Sequence, residues 1–173
     1  MKELLILLCL VLSFTACKKE TGQTNYQKNN SKLPVSGSAA PAQIPPPQMQ
    51  ETRVLTSRFW VFEHWIDEDN PRDKTNKGRW YRFYEDGTYD GGHWSDHYDH
   101  GTWFLRKGVE YSELYIDSEI NDLMDAKWEV QGIGGDEAAM SWVKTKEYGD
   151  KKGALCKLMS MLSMPTKEQL GVN

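Results

Sequence analysis

The alternation of aromatic, strand-forming runs with turn signals in the last two thirds of the chain is the feature that most constrains its fold. All seven tryptophans, seven of the eight tyrosines and four of the five phenylalanines lie beyond residue 53. Runs at 58–66, 79–84 and 101–105 are separated by polar segments, and Asp86-Gly87 between two such runs is a strong hairpin signal. The pattern predicts seven or eight strands in an antiparallel meander, with sequence neighbours adjacent in the sheet.

Both faces of the predicted strands carry large side chains, which indicates that the sheet closes. In residues 59–66, apolar side chains occupy both alternating positions, whereas a sheet with one solvated face would alternate apolar and polar residues. Closure into a barrel covers part of the second face and leaves no exposed edge. We therefore predict an all-β fold over residues 53–173, an antiparallel up-and-down meander barrel.

Two segments of the body have helical character. Residues 118–125 are a short polar candidate between strands. In residues 154–163, Leu155, Leu158 and Leu162 recur at helix spacing, with a glycine before the segment and a proline after it. This spacing predicts a short C-terminal helix, packed on the outside of the barrel or across one mouth, and a final strand is the alternative.

The beginning of the chain has the composition of an export signal followed by a linker. Residues 1–16 combine a basic start, an apolar run and small residues, and the apolar run is shorter than the roughly 20 residues needed to span a bilayer. Residues 17–52 are rich in Asn, Gln, Ser and Pro and hold five of the seven prolines. This composition predicts a disordered linker, because so few apolar side chains cannot offset the entropy cost of ordering.

With Cys17 directly after Thr15-Ala16, the first residues resemble a bacterial lipoprotein signal. The resemblance implies a fatty-acyl anchor such as palmitate on Cys17, and hence a membrane-attached protein of the cell envelope. Lys18 after this cysteine resembles the pattern that directs lipoproteins of enteric bacteria to the outer membrane, which implies an outer-membrane location.

Charge and cysteine content restrict the partners of the body. Residues 17–50 have a net charge of +3, whereas residues 51–173 have a net charge of −7. An acidic body argues against nucleic acid as a partner, since phosphates require clustered Lys and Arg. Cys156 is the one cysteine in the body, and its apolar neighbours predict a buried thiol.

Several short motifs in the body together resemble a known family. They are residues 78–89 (GRWYRFYEDGTY), Gly101-Thr102-Trp103, residues 128–130 and residues 139–142. The pattern, which covers roughly residues 55–145, resembles the lipocalin-like domain of Bacteroidetes-type bacterial lipoproteins. The resemblance implies a small barrel that binds an apolar molecule. These motifs describe turns and core rings, and the sequence has no Gly-x-Ser-x-Gly or His-Glu-x-x-His motif, so we expect no enzymatic activity.

The large rings of the body are candidates either for ligand contact or for core filling: Trp60, Trp65, Trp80, Tyr84, Trp103, Trp128 and Trp142. An eight-stranded barrel is just wide enough to be filled by side chains or to hold one small ligand. The leading hypothesis is a lipid-anchored barrel that binds a small apolar ligand. The alternative is an envelope module with a filled barrel, which binds a protein or glycan through exposed rings such as Trp94, Tyr98 or Trp65.

Residues 90–100 hold three of the four histidines and three aspartates. Imidazole and carboxylate ligands suit Zn, Cu or Ni, at about 2.0–2.2 Å from the ion. On an extended strand, His93, His97 and His100 would be too far apart to share one ion, so only a tight loop or helical turn would gather them. We predict a long polar hairpin loop, with a metal site at these histidines as the alternative and no other cofactor.

Overall fold

The computed structural model describes residues 36–67, 70–132, 138–144 and 153–172. Within these residues, eight strands form a closed antiparallel barrel in sequence order. They are β1 (Phe59–Asp67), β2 (Arg79–Phe83), β3 (Thr88–His93), β4 (Asp96–Lys107), β5 (Ser112–Ser118), β6 (Ala126–Gln131), β7 (Ala139–Lys144) and β8 (Ala154–Met161). The predicted all-β meander barrel is confirmed. The export signal, Cys17 and the linker as far as residue 35 lie outside the described residues.

The barrel closes where the first strand meets the last. β1 pairs antiparallel with β8, from Phe59 opposite Met161 to Asp67 opposite Ala154. The prediction of a C-terminal helix over 154–163 is therefore wrong, and the alternative of a final strand is right. Buried Ala154, Cys156 and Leu158 alternate with exposed positions between them, which is the period of a strand. The leucine spacing also fits a helix, but backbone pairing of this segment with both β7 and β1 favours a strand.

A helix seals one end of the barrel. α1 (Gln50–Ser57) buries Val54 and Leu55 in the barrel core. The Trp60 indole donates to the Leu55 carbonyl at 3.1 Å, and Arg82 Nη1 donates to the Thr56 carbonyl at 2.7 Å. We call this the helix end, and the opposite end, where β1 stops and β2 starts, the loop end. The short polar helix predicted at 118–125 is a single 3-10 turn at Asp122–Met124, beside the loop end.

The segment before α1 lies along the outside of the barrel. The Gly37 amide donates to the Glu119 carbonyl at 3.0 Å, and the Ala40 amide donates to the Asp117 carboxylate at 3.0 Å. Further along, the Gln43 carbonyl lies so close to Gly87 that a β-carbon there would be 2.1 Å away. The prediction of a disordered linker as far as residue 52 is therefore wrong for residues 36–52. Backbone groups of Gly37, Ser38 and Ala40 bond to the barrel, a contribution that composition alone does not show.

Apolar side chains form two clusters, one inside the barrel and one on its outer wall. The inner cluster contains most of the large rings, including Trp60, Trp103 and Trp142. The outer cluster is built on Phe59, Val61 and Trp80 and is covered by C-terminal residues, which are Met159, Met161, Met164, Leu170 and Val172, together with Trp94. Large residues on the inner face of β1 and β2 pack in the inner cluster, and those on the outer face pack in the outer cluster. This explains why both strands carry large residues at both alternating positions.

Candidate functional site

Most of the seven candidate rings fill the core. Five of them are at most 1% exposed: Trp60, Trp80, Trp103, Trp128 and Trp142. The Trp142 ring contacts the rings of Phe62, Tyr81, Phe83 and Trp128, with centroid separations of 5.7 to 6.0 Å. Side chains therefore occupy the middle of the barrel, the first of the two outcomes open to a barrel of this size.

The two less buried candidate rings, Trp65 and Tyr84, lie on different walls, and Trp80 shares the outer wall with Tyr84 although it is fully buried. Trp65 is half-buried at the loop end, where its ring packs against Phe62 and Trp128 at centroid separations of 5.1 and 5.3 Å. Trp80 and Tyr84 belong to the outer wall, and the Tyr84 hydroxyl donates to the Asp90 carboxylate at 2.7 Å. These two rings therefore do not share one internal surface with the other five.

The histidine segment does not form a long loop. β3 and β4 continue through it and are joined by a two-residue turn at Trp94 and Ser95. Each Nε2 atom has a different neighbour: the Lys77 carbonyl at 2.8 Å from His93, the Asp90 carboxylate at 3.3 Å from His97 and the Glu119 carboxylate at 3.2 Å from His100. Across residues 36–67, 70–132, 138–144 and 153–172, no three His, Cys, Asp or Glu side chains are grouped to hold a metal.

His97 instead forms part of a charged cluster on the outer wall. Its ring stacks on Trp80, with centroids 5.9 Å apart and an interplanar angle of 16°. The contact with the Asp90 carboxylate raises the pKa of His97 above its usual value, although partial burial opposes this. Cation–π attraction by Trp80 favours the same protonated form. The contacts of His97 with Asp90 and Trp80 thus give polar side chains of β3 and β4 specific partners on the outer wall.

A second polar network lies inside the barrel near the loop end. The β3–β4 pairing shifts register between Gly91 and Gly92, which leaves Tyr98 as an extra residue on β4. After this bulge, Asp99 points inward, where its carboxylate accepts from Tyr89 at 3.1 Å and from Ser118 at 2.7 Å. Burial raises the pKa of Asp99 above its usual range. The sequence pattern gave no signal for this inward carboxylate because the bulge changes which residues face the core.

Arg79 is the cation of this inner network. Its Nη2 atom donates to the Tyr81 hydroxyl at 2.9 Å, and its guanidinium lies 5.4 Å and 5.9 Å from the ring centroids of Tyr81 and Tyr98. Burial alone would lower the pKa of Arg79, but Tyr81, Tyr98 and Asp99 raise it, so the group stays charged. The alternation of Arg79 with the buried rings of Tyr81 and Phe83 along β2 is the sequence signal that predicts an inward arginine.

A groove of about 510 Å³ lies on the outer surface at the loop end. Its lining residues come from the β1–β2 loop, the β3–β4 turn and the C-terminal segment: Lys74, Thr75, Lys77, His93, Trp94, Lys167, Gly171 and Val172. We call it the Trp94 groove. Three lysines and a histidine line it, and the nearby carboxylates Asp73 and Glu168 are not among its lining residues. The groove is therefore locally positive, although the body as a whole has a net charge of −7.

The conformation of Trp94 is unusual for a residue with a side chain. Its φ angle is +55°, in the left-handed region that few non-glycine residues adopt. The ring packs over Gly78, where an added β-carbon would lie 2.3 Å from the indole, and the Trp94 carbonyl accepts from the Trp80 indole at 2.8 Å. Such strain persists only where the surroundings impose it, and it is concentrated at binding sites.

The buried thiol prediction is confirmed, because Cys156 is fully buried and burial raises the pKa of its thiol.

In the part of the chain that the structure describes, no helix has both the length and the apolar character needed to cross a bilayer. Comparison of the sequence with protein-family models and with curated proteins gives no match.

Proposed function

We propose that the protein is a lipid-anchored lipoprotein of the cell envelope whose lipocalin-like barrel is a filled scaffold, and that it binds an acidic saccharide in the Trp94 groove. The observation that carries this proposal is the convergence of three lysines and a half-buried indole in one groove of an otherwise acidic body. The anchor is the acyl group on Cys17 that the lipoprotein-like signal implies.

The chemistry of the groove matches an anionic sugar better than a purely apolar ligand. An aromatic face packs against the C–H face of a sugar ring, and ammonium groups attract carboxylate or sulfate substituents. A groove of about 510 Å³ falls within the range of small-ligand sites. The Nε2 atom of His93 donates to the Lys77 carbonyl, so a neutral ring leaves Nδ1 as an acceptor for a sugar hydroxyl.

The filled core favours this proposal over the hypothesis of a deep apolar cup. Trp142 and Trp128 occupy the middle of the barrel, and α1 closes the helix end. A ligand of lipid size would have to displace these rings, at a cost comparable to that of opening a core cavity. Binding on the outer wall requires no such rearrangement.

Binding in the groove is tested by calorimetric titration of the body with trigalacturonate, and with galactotriose as the neutral counterpart. We expect trigalacturonate to bind, and galactotriose to bind at least about tenfold more weakly. Trp94→Ala should weaken binding about tenfold, and the double variant Lys74→Gln/Lys167→Gln by a similar factor, because stacking and charge both contribute. Affinity should fall as salt is added.

The matched control for the lysine variants is Lys107→Gln, which removes an exposed lysine at the helix end. This variant should bind like the wild type. Equal affinity of trigalacturonate for the wild type and the Lys74→Gln/Lys167→Gln variant, or no binding at all, would show that the groove is not a site for acidic saccharides.

The anchor is tested separately by labelling cells that express the full chain with radioactive palmitate. We expect label in the wild type and in Cys156→Ser, and none in Cys17→Ser, which should move from the membrane fraction to the soluble fraction. Acyl chains anchor at about 0.8 kcal/mol per buried methylene, so their loss should release the protein from the membrane. Unlabelled wild type, or unchanged fractionation of Cys17→Ser, would contradict the anchor without bearing on the groove.

A further inference from the structure

We infer that the acidic saccharide of the proposed function is a chain of more than three sugar units, which passes from the Trp94 groove into a second groove beside β1. The inference rests on the proposed function, because it concerns the same ligand. Its basis is a second cavity of about 470 Å³ on the outer surface, which shares Lys74 and Lys77 with the Trp94 groove. We call this second cavity the β1 groove.

The two grooves lie on either side of one short segment of the β1–β2 loop. The β1 groove is lined by the end of β1 and by the loop from residue 71, whereas the Trp94 groove is lined by the β3–β4 turn and the C-terminal segment. Lys74 and Lys77 belong to the lining of both cavities. A ligand chain can therefore pass from one groove to the other while it stays next to the same two lysines.

Hydrogen bonds hold this segment in place on both sides. The Lys77 amide donates to the Lys74 carbonyl at 3.0 Å, and the Gly78 amide donates to the Phe62 carbonyl of β1, also at 3.0 Å. On the other side, His93 Nε2 donates to the Lys77 carbonyl at 2.8 Å. The two lysines are thus carried by a backbone that is ordered before a ligand arrives, which lowers the entropy cost of binding.

The β1 groove has three permanent cations, Arg72, Lys74 and Lys77. None of the three forms an ion pair within the residues that the structure describes. A guanidinium matches the two oxygens of a carboxylate, and an ammonium attracts them as a point charge. Arg72 is not part of the Trp94 groove, so it offers a charge to a sugar unit that the first groove does not reach.

The two carboxylates of the β1 groove have donors of their own. Glu63 pairs with Lys157 Nζ at 2.8 Å, and Asp73 accepts hydrogen bonds from both the amide and the hydroxyl of Thr75. The hydrogen bond from Lys157 holds the pKa of Glu63 below its usual value, so the two charges balance each other at neutral pH. The carboxylates therefore weaken, but do not cancel, the attraction of the three cations for an anionic chain.

An exposed apolar surface lies beside these charges. Ile66 is 47% exposed on the outer face of β1, and Pro71 is an exposed residue of the same groove. Aliphatic groups pack against the C–H face of a sugar ring, and the exposed imidazole of His64 can hydrogen-bond a hydroxyl. The β1 groove thus repeats the chemistry of the Trp94 groove. One chain in both grooves is favoured over two short ligands, because its second contact is intramolecular.

Chain length tests this inference, in calorimetric titrations of the full chain with hexagalacturonate and with trigalacturonate. We expect one hexamer per protein, bound at least about tenfold more tightly than the trimer. The double variant Arg72→Gln/Ile66→Thr should lose this gain and bind the trimer like the wild type, because it alters the β1 groove alone. Both positions are exposed, so the variant should fold normally. Arg53→Gln, on the exposed face of α1, is the matched control and should bind both oligomers like the wild type.

The double variant also separates a second contact from a statistical gain. A hexamer contains several overlapping trimer units, and a gain that arises from their number alone would persist in Arg72→Gln/Ile66→Thr. The inference is overturned if the hexamer binds no more tightly than the trimer, or if its advantage survives in the variant. Either result, with the trimer bound, leaves the Trp94 groove as a saccharide site. Failure of both oligomers to bind overturns the proposed function as well.

A measurement on the wild type alone locates the additional contact. Saturation with hexagalacturonate should shift the NMR signal of the Ile66 methyl groups, whereas the signal of the buried Ile116 should stay in place. One equivalent of trigalacturonate should leave Ile66 unmoved, because the larger apolar surface of Trp94 directs the trimer to the first groove. An unmoved Ile66 signal in the saturated hexamer complex would contradict the inference.

Discussion

Replacing Trp142 by alanine is expected to lower the free energy of unfolding by about 4 kcal/mol, the upper part of the range for a buried large-to-small change. The indole is fully buried and contacts four other rings of the inner cluster. Its removal leaves a cavity that these rings cannot fill, because each is held by a strand of a closed barrel. For a domain of this size, the melting temperature should fall by about 15 °C.

The matched control is Trp94→Ala, which removes the same side chain from a half-buried position. It should cost less than about 1.5 kcal/mol, since the ring is only half-buried and its removal forfeits less packing. Thermal unfolding followed by near-UV circular dichroism measures both variants. Equal losses in the two variants would mean that the inner cluster is not the main stabilising core.

Introducing a charge on the inner face of α1 is expected to have an even larger effect. Leu55 is fully buried in the inner cluster, so Leu55→Asp places a carboxylate among apolar side chains. The cost of an unpaired buried charge is at least about 4 kcal/mol, which is a large share of the stability of a domain. We expect the variant to lose cooperative unfolding and to bind a hydrophobic dye.

Arg53→Asp provides the control for this substitution because it puts the same charge on the exposed face of the same helix. Its unfolding free energy should stay within about 0.5 kcal/mol of the wild type. Urea denaturation followed by tryptophan fluorescence distinguishes the two variants. A Leu55→Asp protein with wild-type stability would show that α1 does not seal the barrel in solution.

The fold was largely predictable from the sequence because hairpin chemistry and aromatic runs are local signals. Asp86-Gly87 forms the predicted turn between β2 and β3, and Gly87 has the positive φ angle that favours glycine. The last strand was less predictable, since its leucine spacing fits a helix as well as a strand and the choice depends on pairing with β1. The conformation of β8 is therefore set by its long-range pairing with β1, because its local sequence preference does not distinguish a helix from a strand.

The candidate sites were less predictable than the fold. Trp94 was recognised as a ring for surface binding, but the lysines of its groove lie far apart in sequence and meet only through the barrel. Arg79 was missed because an arginine in a strand is most often read as a solvent-facing residue. The histidines suggested a metal, whereas the register of β3 and β4 gives each of them a separate partner.

The pairing of β1 with β8 also constrains the route by which this protein folds. Phe59 and Met161 are neighbours in the sheet although they are about 100 residues apart in the chain, so the seam has a high contact order and should form slowly. A chain emerging from a ribosome or a secretion channel cannot complete the barrel until its last segment is free. The N-terminal strand therefore spends that interval with an unpaired edge, which makes early chaperone protection important for the yield of native protein.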